Sequence, residues 1–152
     1  FAVVVDPQGA AFSLYQGRDT EPTEDWKIPS GPGTVVWNEL LSPDPLAAAG
    51  FYREVCGWTT REMDMGPMGT YWIFMHEGKD CAGMMKMPPD AQGPPAWLCH
   101  FEVTDVDAST TMTQELGGKV YVAPRDIPGI GRFSVTADST GATFAIFKPT
   151  PR

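Results

Sequence analysis

The chain has 152 residues, 42% of them hydrophobic and 20% charged, which suits one folded domain with a real core and excludes a disordered chain. A net charge of −8 argues against nucleic-acid binding, which needs clustered Lys and Arg, and no apolar run approaches membrane-spanning length. Cys56, Cys81 and Cys99 form an odd set without paired-ligand spacing. They read as small buried hydrophobes of a reducing compartment, with the cytoplasm as the expected location, rather than as a disulfide frame or zinc site.

Residues 1–16 (FAVVVDPQGAAFSLYQ) predict a hairpin: a strand, a turn at Asp-x-x-Gly, and a second strand of alternating apolar residues. Residues 133–148 (FSVTADSTGATFAIFK) repeat it at an offset of 132, with Phe1/Phe133, Asp6/Asp138, Gly9/Gly141 and Phe12/Phe144 identical. Self-similarity at a fixed offset means one folding unit used twice. Residues 1–16 are therefore expected to be the closing hairpin of a preceding, missing unit. Their exposed strand edges would pair with an upstream domain of the same polypeptide or with a second chain. Residues 17–33, polar and rich in Pro and Gly, read as a linker that Trp26 would dock.

A complete unit follows. Residues 35–41 predict a strand, and Asp44-Pro45 a helix start with Asp44 as N-cap. Ala48, Phe51, Tyr52 and Val55 have the spacing of a buried helical face, and Gly57 ends the helix. Strands are expected at 59–63, 71–76 and 81–87, with a hairpin turn at 77–80. After the break at 88–95 the pattern restarts: strand 97–103, helix 105–116 closed by Gly117-Gly118, strand 119–123 and the final hairpin. A shift of 61 aligns Asp44 with Asp105, Ala47 with Ala108, Glu54 with Glu115 and Gly57 with Gly118. Residues 34–148 thus read as two βαβββ units, 34–88 and 96–148.

Two such units with the phrase DPLAAAGFYREVCGW resemble the vicinal oxygen chelate superfamily, which includes glyoxalase I, extradiol dioxygenases and bleomycin-resistance proteins. WNELLSPDP and RDIPGIGRFSV more narrowly resemble its two-domain, glyoxalase-like and often hydroxylase-labelled subgroup. That subgroup includes an accessory protein of daunorubicin and doxorubicin biosynthesis. The resemblance implies an α+β fold in which the tandem units form a cup-shaped mixed sheet with helices on its outer face. It also implies a divalent metal in the cup, held by His, Glu or Gln from the first and last strand of each unit. Here those positions hold Trp37, Leu98, Ala145 and, by counting from the hairpin Gly, Ala82. None of these ligates a hard or borderline dication, so no metal and no other cofactor is expected.

Glu39 and His100 lie two positions beyond the lost ligands, and the shift of 61 pairs them. They could form a carboxylate–imidazole dyad, half of a displaced metal site, an ion pair, or polar groups that hydrogen-bond a ligand. Structural and binding roles rank ahead of catalysis. If Trp37, Glu39 and Leu41 face the cup, Asn38 faces the helix and needs a partner there. Trp72, Met84 and the other Trp and Met residues suit a cup for a flat, apolar molecule. The expected function is metal-independent binding of a small aromatic or polyketide-like compound, for sequestration or biosynthetic use, at Trp37, Glu39, Trp72, Met84, Leu98, His100 and Ala145. An amine on that compound would suit the acidic surface. The alternative is a glyoxalase-like lyase, or a hydroxylase or oxygenase, that uses Glu39 and His100. His76 is expected to be a solvated turn residue.

Overall fold

The computed structural model describes residues 1–17, 29–91 and 93–151. Trp26 and most of the expected 17–33 linker therefore lie outside the described residues. In chain order the elements are β1 (Ala2–Val5), β2 (Ala11–Leu14), β3 (Val35–Ser42), α1 (Pro45–Cys56), β4 (Thr59–Asp64), β5 (Thr70–His76) and β6 (Lys79–Lys86), followed by β7 (Ala96–Glu102), α2 (Val106–Glu115), β8 (Lys119–Ile127), β9 (Gly131–Ala137) and β10 (Thr143–Pro149). Eight strands hydrogen-bond in the order β4-β5-β6-β3-β7-β10-β9-β8, while β1 pairs with β2 in a sheet of two. The fold class is α+β, with two βαβββ passes. Two compact units divide the chain, Phe1–Lys27 with Asn38–Trp97, and Ile28–Trp37 with Leu98–Arg152.

In the first unit Asp44 caps α1 by accepting the Ala47 N–H at 3.1 Å, and Pro45 opens the helix. Gly57 closes it in the left-handed conformation, with φ at 69°. Ala48 and Tyr52 are buried, and Phe51 packs beside them against Leu40, Phe74, Ala82 and Met84. Val55, expected on that face, is instead 43% exposed, so the apolar stripe ends a turn early. Glu77 and Gly78, both at positive φ, make a two-residue turn with His76 opposite Lys79, tighter than the expected 77–80 turn. His76 is exposed, as expected.

The β1–β2 hairpin sits in this unit and is anchored by its turn. Asp6 Oδ1 accepts the N–H groups of Gln8, Gly9 and Ala10, each at 2.9 Å. The hydroxyl of Tyr52 donates to Asp6 Oδ2 at 3.0 Å and accepts the Trp97 indole N–H at 2.9 Å. Gln8 Oε1 accepts Ser42 Oγ–H at 2.7 Å, and Gln8 Nε2 donates to the Asp44 carbonyl at 2.9 Å. Phe12 meets Phe51 and Tyr52 edge-on.

In the second unit α2 covers one face of β8, β9 and β10. Asp105 caps it through the Ala108 N–H at 3.0 Å. Arg132 on β9 grips Asp107 through two bonds of 2.7 and 2.8 Å and also reaches Asp126. The two glycines after α2 do different jobs. Gly117 takes a φ of +83°, whereas Gly118 leaves room for the backbone oxygens of Ala137 and Thr113. β8 runs on to Ile127, beyond the expected end at residue 123.

Candidate functional site

Strand parity decides which side chains share a face. Leu40, Phe74, Ala82 and Met84 belong to the core under α1. Their strand neighbours point the other way, in two rows set by the ladders. One row runs Arg61, Ile73, Gly83, Glu39, and the next runs Met63, Tyr71, Met85, Leu41. On this face Glu39 is only 8% exposed. Burial pushes its carboxyl up from 4.5 to about 7, and a hydrogen bond from the Tyr71 side chain opposes part of that rise. Arg61, in the same row, is engaged by Asp80 at 2.6 Å and is not free to neutralise Glu39. The result is an apolar surface around one carboxyl poised to gain or lose a proton near neutrality.

The second unit repeats the arrangement on the face away from α2. One row runs His100, Ala145, Val135, Val122, and the next begins Phe147, Phe133, Arg125, with the Arg125 guanidinium 6.0 Å from the Phe133 ring centre. His100 is 8% exposed, and its Nε2 has no hydrogen-bond partner among the described residues. Burial pushes the imidazole down from 6.5 to about 4, so it is neutral at pH 7. Two surface clefts of this unit, of about 280 and 260 Å³, lie elsewhere and are lined by neither His100 nor Ala145.

Not all of the sequence-derived site residues meet on these faces. Trp37 is half-buried and shares Glu39's side of β3, which leaves Asn38 on the other side, exposed and in no need of a buried partner. Leu98, 4% exposed, lies on His100's side of β7, and Ala145 pairs with His100. Trp72 and Met84 do not join Glu39. Met84 is fully buried under α1, and Trp72 packs against the same cluster with its indole N–H turned to Glu62 at 3.3 Å. Ala82 is also on that side, and Gly83 holds the position expected for it. The cause is a bulge. Phe74 pairs with Ala82 but Met75 pairs with Asp80, so Cys81 is an extra residue that turns β6 over. The same bulge brings Tyr71, Ile73 and Met85 to Glu39's face.

The positions at which this fold would hold a metal carry an indole at Trp37, an isobutyl group at Leu98, a methyl at Ala145 and no side chain at Gly83. None of these groups, each taken by itself, can ligate a divalent ion. No group of three or more His, Cys, Asp or Glu that could hold one occurs among the described residues.

The family model described as a glyoxalase-like domain matches residues 34–147. The chain is 36% identical over 150 residues to the putative glyoxylase CFP32 of Mycobacterium tuberculosis, covering 98% of this chain and 56% of that protein. It is 35% identical over 130 residues to the anthracycline biosynthesis protein DnrV of Streptomyces peucetius, covering 77% and 47%. It thus spans about half the length of the curated relatives it matches. Among solved structures, methylmalonyl-CoA epimerase from Mycobacterium tuberculosis superposes with a TM-score of 0.53 at 17% identity, over 77% of this chain and 88% of the other, which is a likeness of fold. With the family match spanning both βαβββ passes, the chain belongs to the glyoxalase-like domain family.

Proposed function

We propose that the chain binds a small aromatic or polyketide-like compound, without a metal, on the sheet face away from α1. The observation that carries this reading is the paired rows around Glu39. Met63, Met85, Leu41 and the ring of Tyr71 line the row beside Glu39, whose carboxyl, with the Tyr71 hydroxyl and Arg61, supplies the polar groups of this face. Apolar contact would supply most of the free energy, at about 25 cal/mol per Å² buried before association costs, and the carboxyl would set orientation. An amine on the compound would pair with ionised Glu39, in keeping with the net charge of −8. The relatedness to DnrV, which is named for anthracycline biosynthesis, supports planar polyketides as the first compounds to try.

The test is a fluorescence titration of anthracyclines and simpler planar polyketides against the wild type, Met85→Ala and Glu39→Gln. Binding should weaken about tenfold in Met85→Ala, or roughly 1.4 kcal/mol, and Glu39→Gln should shift preference between amine-bearing and neutral compounds. Binding that is absent, or that follows an added dication, defeats the reading.

A second reading rests on a different observation. A carboxyl buried beside a tyrosine and titrating near 7 has the properties of a general acid–base, so a metal-free proton transfer at Glu39 is the enzymatic alternative. Turnover of a methylglyoxal–thiol adduct or an aromatic substrate that disappears in Glu39→Gln would favour it.

A further inference from the structure

Arg132 reaches back to Asp107 on α2, so alternation along β9 turns Gly131, Phe133 and Val135 to the side away from that helix. Phe147 of β10 lies opposite Phe133, and its ring fills the space beside Gly131, where an added Cβ would come within 2.6 Å of it. Phe133, Val135 and Phe147 are each half-buried, which leaves a low apolar floor open to solvent. Arg125 stands at its edge. A break in the β8–β9 register, with Val122 opposite Val135 but Arg125 opposite Phe133, brings the guanidinium to 6.0 Å from the Phe133 ring centre. Arg53, Arg61 and Arg132 each hold a carboxylate, whereas Arg125 holds none among the described residues. Its neighbour Asp126 is engaged by Arg132. At the other end of the face, His100 carries the buried Nε2 that lacks a partner.

We propose that this face of the second unit binds a planar aromatic carboxylate, with Arg125 holding the carboxylate and the rings lying on Phe133, Val135 and Phe147. The compound class follows from the chemistry of the face. A guanidinium presents parallel N–H donors that match the two oxygens of a carboxylate, and its place beside the Phe133 ring limits the freedom lost when that bond forms. The apolar floor rewards flat rings, which bury more area on it than a short aliphatic acid would. A net charge of −8 repels anions at long range, so recognition has to come from the contact itself. A hydroxyl on the ring system would give His100 Nε2 the hydrogen bond it lacks. The residues and the ligand charge both differ from those of the Glu39 face, which suits an amine.

The experiment titrates anthraquinone-2-carboxylate, and its primary amide as the neutral counterpart, into the 152-residue chain by calorimetry. The acid should bind at least about tenfold more tightly than the amide. Arg125→Ala should bring the acid down to the level of the amide. Lys148→Ala removes the same charge from the opposite side of β10, since Lys148 pairs with Arg132, and should leave the acid's affinity unchanged. Arg125 and Lys148 are both exposed, so neither variant disturbs the core. Backbone amide shifts on adding the acid should centre on Val122, Val135 and Phe147. Equal binding of acid and amide, no binding of either, equal losses in Arg125→Ala and Lys148→Ala, or shifts confined to other strands would each overturn the proposal. None of these readings involves Glu39, so the function proposed for the first unit stands or falls separately.

Discussion

Glu39 stands directly across the β3–β6 ladder from Gly83, as His100 stands across the β7–β10 ladder from Ala145. In each unit a buried titratable side chain is thus paired with a hydrogen or a methyl, and its ladder partner offers no hydrogen bond or counter-charge. Burial then moves the two groups in opposite directions, the carboxyl up and the imidazole down.

Glu39 should make the fold more stable in mild acid. Its folded value of about 7 lies above the ordinary 4.5, so the folded state binds the proton more tightly. Its contribution is complete below pH 4.5 and is lost as pH rises through 7, by about 3 kcal/mol in all. Glu39→Gln should remove this falling component from urea titrations between pH 4.5 and 7, leaving only the slopes of the other groups. Tyr71→Phe, which removes the bond that favours the ionised form, should move the carboxyl's midpoint higher still.

His100 should act with the opposite sign. Its folded value of about 4 lies below 6.5, so the unfolded state binds the proton more tightly. Stability from this group is complete above pH 6.5 and is lost as pH falls through 4. The two contributions oppose each other between 4.5 and 6.5. His100→Gln should therefore expose the falling slope of Glu39, and Glu39→Gln the rising slope of His100, when both are followed by the same urea titrations.

Met84 and Met85 should separate stability from binding. Met84→Ala removes a fully buried side chain and should cost about 2–5 kcal/mol of stability by thermal or urea melts, with little change in ligand affinity. Met85→Ala, half-buried on the opposite face, should do the reverse. Equal effects of the two on binding would contradict the assignment of faces.

Gly118→Ala should destabilise the second unit. An added Cβ would lie 2.5 Å from the Ala137 carbonyl oxygen and 2.6 Å from the Thr113 methyl. Overpacking of this kind costs about 1–3 kcal/mol, readable as a lowered Tm. Gly50→Ala, where nothing lies within 4 Å of the added carbon, is the control and should leave Tm unchanged or raised.

The elements were legible because their signals are local. Asp44-Pro45 and Gly57 mark the ends of α1, alternation marks β3 and β10, and the repeated Asp-x-x-Gly turn marks both hairpins. Glu39 and His100 were legible as a pair because the shift between units is constant. Trp72 and Met84 lie on the α1 side rather than beside Glu39 because parity along β6 hinges on a bulge at Cys81, and an unpaired residue in a ladder leaves no mark on composition or alternation. Tyr71 emerges as Glu39's partner only when β5 and β6 are set in register. The role of Tyr52 was hidden for another reason. It looked like ordinary helix core, and its hydroxyl bond to Asp6 spans 46 residues.

Since Glu39 titrates near neutrality, filling the face above it couples ligand traffic to proton traffic. A neutral aromatic compound would strip remaining water from the carboxyl and draw a proton out of the buffer as it binds. A cationic one would hold the carboxylate ionised and release a proton instead. Calorimetry in two buffers of different ionisation enthalpy would then read the sign of the ligand's charge from the heat alone. The same coupling runs backwards: a neutral cargo would be held more firmly in acid and let go as the medium turned alkaline, and a cationic cargo the other way round.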